Sequence, residues 1–252
     1  MRRAIYEKIG INNFFALAYN NVVEEITITQ NGFNALYMSY LFRAVKERFS
    51  FLPAEIRLTG DKSQIEVKTE RAYFPYIRKF TEDKLADILV IGYKYAYFDK
   101  QLRLPLLNEK KRRVLLTALV SADYKEDKAY ALRRVRGVEN YSLDGLYHFK
   151  MRSLTERWQE IVSCVPIDMG ESSLDNFLGF LTEDGQGKAY LKDGQVYDEE
   201  YKKQDKSSLT GKSWTIGELL LAQAERVYCV GETELETKEF LKRYYGEKAS
   251  FC

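Results

Sequence analysis

The sequence has few histidine and cysteine residues, two types that often carry acid–base or metal chemistry. Its 252 residues include a single histidine, His148, and three cysteines far apart in the chain, Cys164, Cys229 and Cys252. His148 lies on the flank of a predicted helix, where a structural or electrostatic role is expected, and no G-x-S-x-G motif accompanies it. Structural zinc sites use closely spaced Cys and His pairs, which this sequence lacks. The sequence therefore predicts no enzyme activity, no catalytic residues, no metal site and no cofactor.

Proline, long apolar runs and paired cysteines are also scarce. Four prolines and scattered glycines argue against a long disordered segment. The longest apolar stretch, residues 85–97, is shorter than the roughly 20 residues of a membrane helix and contains Asp87 and Lys94. Three dispersed cysteines make no disulfide framework, and no apolar signal-peptide core follows Arg2 and Arg3. A cytoplasmic protein without a membrane span is expected.

One nucleotide-binding motif is nearly present. Gly211-Lys212-Ser213 resembles the end of a phosphate-binding P-loop. That motif also needs a glycine five positions before Gly211, where this chain has Lys206, and a buried strand before it, where this chain is polar. Nucleotide binding of the P-loop type is therefore not expected.

Aromatic residues, by contrast, are abundant, with 19 Tyr and 14 Phe against 2 Trp. A tyrosine joins a large apolar face to a polar hydroxyl group, so it suits both a half-buried protein interface and the stacking of nucleic-acid bases. Most of the tyrosines fall at helical or strand spacing, which favours ordinary packing over base stacking. The sequence combines many aromatic residues with no recognisable group of catalytic residues. This combination predicts a protein that acts by binding another protein or by self-association.

The net charge is only +2, but its distribution is uneven. Between Lys94 and Trp158 the chain has 15 basic and 8 acidic residues. This segment contains two basic clusters, which are Lys110, Lys111, Arg112 and Arg113, and then Arg133, Arg134 and Arg136. On two neighbouring helices the clusters could contact about four to seven phosphates. Their acidic neighbours equally allow them to be solvated helix ends, so nucleic-acid binding around residues 110–136 is the alternative to protein binding.

Apolar periodicity predicts a mostly helical α+β fold in three segments. Residues 1–75 are predicted to form a small α+β lobe, with a helix at 13–23, a strand at 24–29, a helix at 33–49 and a hairpin of strands 55–58 and 64–68. Residues 76–183 are predicted to form a helical core, with helices at 84–98, 108–120, 125–135, 144–165 and 174–181. Thr81 is the expected cap of the first core helix.

The last segment, residues 184–252, is predicted to pack on this helical core. Asp193-Gly194, between strands at 188–191 and 195–197, is a strong hairpin signal. A polar, solvated connection at 198–212 then leads to a helix at 215–224, a strand at 226–230, a helix at 233–244 and an edge strand at 249–252.

Several segments of the middle and C-terminal parts resemble a known family. They are Asp87-Ile88-Leu89, residues 93–98, the charged helix at 108–119, the phrase Leu143-Asp-Gly-Leu-Tyr-His-Phe-Lys-Met-Arg152, and residues 240–252. Together, over residues 81–252, they resemble the YtxC family of sporulation proteins of endospore-forming bacteria. The resemblance implies a cytoplasmic, sporulation-associated protein with no established activity and no catalytic residues to transfer.

Four positions of the central phrase are expected to have structural roles. Asp144 is expected to cap the helix, Leu143 and Phe149 to pack in the core, and Gly145 to permit the close approach of a neighbouring element. Leu146 stands where the family has an aromatic residue. These family-like positions serve capping and packing rather than chemistry.

Overall fold

The structure, a computed structural model, describes residues 23–32, 35–59 and 61–252. Over these residues it confirms the mostly helical α+β fold, with two small mixed sheets. The helix predicted at 13–23 lies outside the described residues except for Val23, which begins a strand.

The first sheet combines the N-terminal lobe with one short strand from the helical middle. Its elements are β1 (Val23–Asn31), α1 (Ala35–Arg48), β2 (Ala54–Thr59), β3 (Lys62–Glu70) and β4 (Tyr141–Ser142). The strand order is β2-β3-β1-β4, in which β4 alone runs parallel to its neighbour. Thr59 pairs with Lys62, which confirms the hairpin. The buried side of β3, with Ile65 and Val67, packs against α1.

A continuous helical path crosses the middle of the chain. It consists of α2 (Phe74–Asp87), a π-helical stretch (Ile88–Tyr93) and α3 (Lys94–Gln101). The predicted start at Lys84, with Thr81 as its cap, is wrong, because the helix begins at Phe74 with a proline in its first turn. Thr81 is buried, and Glu82 accepts a hydrogen bond from Tyr141 at 2.8 Å. Thr81 and Glu82 therefore lie in the interior of α2 and not at its start.

The π-helical stretch is almost entirely buried and adjoins a row of aromatic rings. Gly92 allows the ring of Tyr37 to lie where any β-carbon would overlap it. Tyr37 stacks on Tyr93 with ring centroids 5.1 Å apart, and Tyr93 lies 4.6 Å from Tyr147. Tyr147 faces Trp158 at 6.4 Å. These aromatic residues pack in or against the core.

The remaining helices of the middle segment are α4 (Glu109–Ala122), α5 (Tyr124–Val135), α6 (Leu143–Gly145), a π-helical turn (Leu146–Lys150), α7 (Arg152–Cys164) and α8 (Glu171–Glu183). Asn108 caps α4 by accepting a hydrogen bond from the N–H of Lys111 at 2.9 Å. The unbroken helix predicted at 144–165 is wrong, because the backbone leaves helical geometry at Met151. The apolar residues Leu143, Met151, Leu154 and Trp158 of this stretch are buried all the same.

The second sheet lies in the C-terminal segment. Its strands are β5 (Lys188–Lys192), β6 (Gln195–Tyr197), β7 (Arg226–Val230) and β8 (Ala249–Phe251), and the segment also contains α9 (Thr215–Ala222) and α10 (Leu235–Tyr244). The strand order is β6-β5-β7-β8, with no strand shared with the first sheet among the described residues. The Asp-Gly hairpin is confirmed, since Asp193 and Gly194 have φ values of 50° and 73°, as a type I′ turn requires. The predicted edge strand β8 pairs with β7.

The polar connection at 198–212 was expected to be solvated, which is wrong for its second half. A 3-10 turn at Lys206–Thr210 buries the side chains of Ser207 to Thr210. The carboxylate of Glu218 in α9 accepts hydrogen bonds from the backbone N–H groups of Lys206, at 3.1 Å, and Ser207, at 2.6 Å. A polar segment can be buried here because a carboxylate further along the chain accepts hydrogen bonds from its backbone N–H groups.

Contacts cross both predicted segment boundaries. β4 belongs to the helical middle by sequence and to the first sheet by pairing, and α9 packs against α4. The buried apolar residues form one continuous core. The division at residues 75 and 183 stays a prediction. Within the described ranges, no helix is both long enough and apolar enough to cross a membrane.

Candidate functional site

The family-like position Asp144 joins two parts of the fold instead of capping a helix. The cap is Ser142, whose hydroxyl accepts a hydrogen bond from the N–H of Gly145 at 3.2 Å. The Asp144 carboxylate accepts from the backbone N–H of Asn31, at 2.7 Å, and from the hydroxyl of Tyr93, at 3.0 Å. Burial, and then the Asp144 carboxylate, raise the pKa of Tyr93. The predicted cap is therefore wrong by two residues. Asp144 instead links β1 to the π-helical stretch that ends at Tyr93.

The other three family-like positions have mixed outcomes. Leu143 is fully buried, as predicted. Phe149 is 83% exposed, so its predicted core contact is wrong. It lies in the π-helical turn, where successive side chains project in other directions than they do in an α-helix. A β-carbon on Gly145 would meet only Ser142, at 3.1 Å. Gly145 therefore makes room for its own capping serine rather than for a neighbouring element.

The first basic cluster is engaged in contacts within the fold. Its four side chains have these partners: Lys110 pairs with Glu236 at 2.7 Å, Lys111 with Glu171 and Arg112 with Asp99, while Arg113 donates to the Lys212 carbonyl at 2.6 Å. The guanidinium of Arg113 also lies 4.4 Å from the ring centroid of Trp214, and burial lowers its pKa. These contacts attach the start of α4 to α3, α8, α10 and the segment before α9. Much of the cluster's charge is thereby neutralised.

The second basic cluster is more open. Arg133, Arg134 and Arg136 are exposed at the end of α5. Arg133 and Arg134 lie 5.9 and 5.2 Å from the ring centroid of Tyr130. The three arginines remain available to an anionic partner, although they make a smaller surface than the seven cations of the sequence suggest.

A row of tyrosines covers the outward side of the second sheet. The inward side buries Ala189, Leu191, Val196, Val227 and Cys229. On the other side Tyr190 pairs across the strands with Tyr197 and with Tyr228, and the Tyr190 and Tyr228 ring centroids are 5.5 Å apart. Tyr201, which is 67% exposed, stacks on Tyr190 at 4.5 Å. We call Tyr190, Tyr197, Tyr201 and Tyr228 the tyrosine face.

The charges around the tyrosine face are mixed. Side chains alternate along a strand, so Lys188 and Lys192 flank Tyr190 on the same side of the sheet. Glu199 accepts a hydrogen bond from the backbone N–H of Lys188 at 2.9 Å, and Arg226 lies 3.9 Å from its neighbour Glu225. The face therefore offers half-buried aromatic rings and hydroxyl groups within a rim of both signs, and it has no nucleophile paired with a base.

A buried ionic network lies at the centre of the helical core. Asp127 accepts from the ammonium of Lys94 at 2.9 Å, from Arg157 at 2.7 Å and from the indole N–H of Trp158 at 2.9 Å. Lys94 and Asp127 are both buried. Each oxygen of Asp127 already has a donor, so the carboxylate is not free to act as a base. In the described part of the chain, no group of three His, Cys, Asp or Glu side chains could hold a metal ion.

The sequence contained part of the signal for the tyrosine face. The alternation of Lys188 to Lys192 and of Arg226 to Val230 places Tyr190 and Tyr228 opposite the apolar residues of their strands. The sequence does not show that β5 pairs with β7, because the two strands are far apart in the chain, with α9 between them. The ionic partners of Asp127 were missed for the same reason.

No protein-family model, curated protein or solved structure matches this chain. The possible functions of the tyrosine face have to be inferred from its own geometry.

Proposed function

We propose that this is a non-enzymatic cytoplasmic binding protein whose tyrosine face contacts another protein or a second copy of itself. The observation that carries the proposal is the row of Tyr190, Tyr197 and Tyr228 on the outward side of the second sheet, with Tyr201 stacked on it. The resemblance to the YtxC family adds a sporulation-associated role in a bacterium to this proposal.

The composition of the face supports a protein partner. Tyrosine contributes a large, rigid contact area with only two rotatable side-chain bonds, so little conformational entropy is lost when it becomes buried. Tyrosines are enriched among the residues that dominate binding energy, while a rim of mixed charge is typical of protein interfaces. Asp127 supports a role without catalysis, because both of its carboxylate oxygens already accept hydrogen bonds within the fold.

The test is a double substitution on the face, Tyr201→Ser with Tyr228→Ser. Self-association is measured by size-exclusion chromatography with light scattering, and partner binding by quantitative capture from extracts of sporulating cells followed by titration with the purified partner. We expect the double variant to bind about 30-fold more weakly, because anchors of this kind contribute about 2 kcal/mol or more.

The matched control is Tyr76→Ser on α2, because Tyr76 is 72% exposed and lies outside the face. The control should bind like the unmodified protein. A monomeric protein with no partner whose binding depends on the face would refute the proposal.

Nucleic-acid binding around residues 110–136 remains the second candidate, because Arg133, Arg134 and Arg136 are exposed. The ion pairs of the first cluster weigh against it. Labelled single-stranded DNA and RNA should be titrated at low and moderate salt, since binding through phosphates must weaken steeply as salt rises. The triple variant Arg133→Glu, Arg134→Glu, Arg136→Glu should lose any such binding, whereas the Tyr201→Ser, Tyr228→Ser variant should retain it.

A further inference from the structure

A concave site lies between α1, the end of α2, α5 and part of the segment 198–206. Its cavity volume is about 540 Å³. Lys84, Lys128 and Lys206 line it together with the carboxylate of Asp87. We call this site the lysine cleft.

The floor of the lysine cleft is a buried carboxylate whose oxygens are already occupied. Asp87 accepts hydrogen bonds from the Tyr124 hydroxyl at 2.7 Å and from the Tyr40 hydroxyl at 3.4 Å. The ammonium of Lys128 lies 2.8 Å away and that of Lys84 lies 3.6 Å away. Burial by itself raises the pKa of Asp87, but the lysines of the cleft outweigh burial and lower that pKa to about 2. Asp87 is therefore ionised at neutral pH, and the ammonium groups of Lys128 and Lys84 lie close to it.

Lys206 is a lysine of the cleft without a counterion at ion-pair distance in the described part of the chain. Among the described residues its ammonium makes no ion pair, and it lies 4.8 Å from the ring centroid of Tyr124. Burial lowers the pKa of Lys206 most, and Lys128 and Lys84 lower it further, while the carboxylates of Asp87 and Glu218 oppose that change. Three ammonium groups thus converge on one carboxylate, and the positive charge exceeds what Asp87 can neutralise.

The acidic groups at the rim do not remove this excess. Asp83 is paired with Lys128 at 2.9 Å, and Asp205 is paired with Arg43. Asp198 accepts hydrogen bonds from the backbone N–H groups of its own turn. Of the remaining lining charges, Lys202 is paired with Glu200, while Arg48 and Lys203 outnumber one further acid, Glu47. The lysine cleft as a whole therefore favours an anion.

We infer that the lysine cleft binds the phosphate group of a small phosphorylated molecule, with Lys206, Lys128 and Lys84 as the donors. A phosphate carries close to two negative charges at neutral pH and accepts charge-assisted hydrogen bonds from several ammonium groups at once. The volume of the cleft falls within the range of small-molecule sites, so it has room for the rest of such a ligand beside the phosphate. This inference is independent of the tyrosine face and of the proposed function.

The test uses the full chain and two probes, inorganic phosphate and pyrophosphate, titrated by calorimetry at constant ionic strength set with chloride. The variant is Lys206→Met, which keeps most of the length of the side chain and removes its charge. We expect Lys206→Met to weaken the binding of both probes at least about tenfold. Thermal unfolding should show that this variant folds at least as stably as the unmodified protein, because it removes a desolvated charge that has no counterion.

The matched control is Lys192→Met, an exposed lysine beside the tyrosine face, which should leave phosphate binding unchanged. Lys84→Met provides a second variant in the cleft and should also weaken binding. Phosphate should raise the pKa of Lys206 measured by NMR at its side-chain nitrogen. The Tyr201→Ser, Tyr228→Ser variant should bind phosphate normally, which separates this inference from the proposed function.

Four outcomes would overturn the inference. They are the absence of phosphate binding at millimolar concentration, equal binding by Lys206→Met and the unmodified protein, equal loss in Lys192→Met and Lys206→Met, and binding of a phosphoserine peptide without binding of either small probe. The last result would point to a phosphorylated protein as the source of the phosphate.

Discussion

Two glycines that lie inside helices differ in the space around them, since one is tightly packed and the other is open. A β-carbon on Gly92 would overlap the ring of Tyr37, which is buried and held against Tyr93 by stacking. A β-carbon on Gly179 in α8 would meet no atom within 4 Å. The same substitution should therefore change stability in opposite directions at the two positions.

Gly92→Ala is expected to lower the free energy of unfolding by about 1–2 kcal/mol. The overlap with Tyr37 costs about 1–3 kcal/mol, while the better helix propensity of alanine returns up to about 1 kcal/mol. Urea unfolding followed by circular dichroism measures the difference. Gly179→Ala is the control and should be neutral or stabilising by up to about 1 kcal/mol. Equal effects of the two substitutions would contradict the close packing of Tyr37 on the central helix.

At the scale of elements, Asp127 connects three helices through one carboxylate. It lies in α5, accepts from Lys94 in α3, and accepts from Arg157 and Trp158 in α7. Asp123 also lies within 3.6 Å of the Lys94 ammonium, but its side chain is 46% exposed. Lys94 thus has one buried and one solvated partner.

Asp127→Asn should lower the free energy of unfolding by about 3–5 kcal/mol, because it leaves the buried Lys94 without its nearest counterion. Asp123→Asn is the matched control and should cost at most about 1 kcal/mol, as is usual for an exposed ion pair. Guanidinium unfolding of both variants at pH 7 makes the comparison. Losses of similar size would mean that the network does not depend on the buried carboxylate.

At the scale of the whole molecule, the ionised form of Asp87 makes stability depend on pH. Its pKa is about 2 in the fold, against 3.8 for an ordinary aspartate. Because the folded pKa is the lower one, the stabilisation is complete above about pH 4 and is lost as the pH falls towards 2. The difference corresponds to about 2 kcal/mol.

The free energy of unfolding should therefore decrease between pH 4 and pH 2, and Asp87→Asn should flatten that decrease by about 2 kcal/mol. Urea unfolding at several pH values in this window measures both curves. Asp99→Asn is the comparison, since Asp99 is an aspartate paired with Arg112 at the surface. A slope that is unchanged in Asp87→Asn would show that other carboxylates are responsible for the acid sensitivity.

Local patterns predicted most of the elements but not their ends or their partners. The Asp193-Gly194 turn and the start of a helix near residue 108 depend on neighbouring residues, and the structure contains both. The start of the central helix at Phe74 and the exposure of Phe149 were missed. Glu82 is polar because it accepts a hydrogen bond from Tyr141 inside the fold, and not because a helix starts there. Phe149 is exposed because it lies in the π-helical turn.

The candidate sites were less accessible to sequence reasoning than the fold. The basic residues of α4 were identified, but their ion pairs with α3, α8 and α10 were not. In the sequence, Lys206 is a departure from a P-loop motif, whereas the structure places it in a cleft with Lys84 and Lys128. These residues are distant in sequence, and a single chain carries no local signal for such contacts.

The helical and strand periodicities and the turn residues can be read from the amino-acid sequence, because each depends on residues close together in the chain. The folded protein alone shows which charges are buried, which are paired and which tyrosines lie at the surface. Burial and ion pairing depend on residues that folding brings together, as Lys94 meets Asp127 and Tyr190 meets Tyr228.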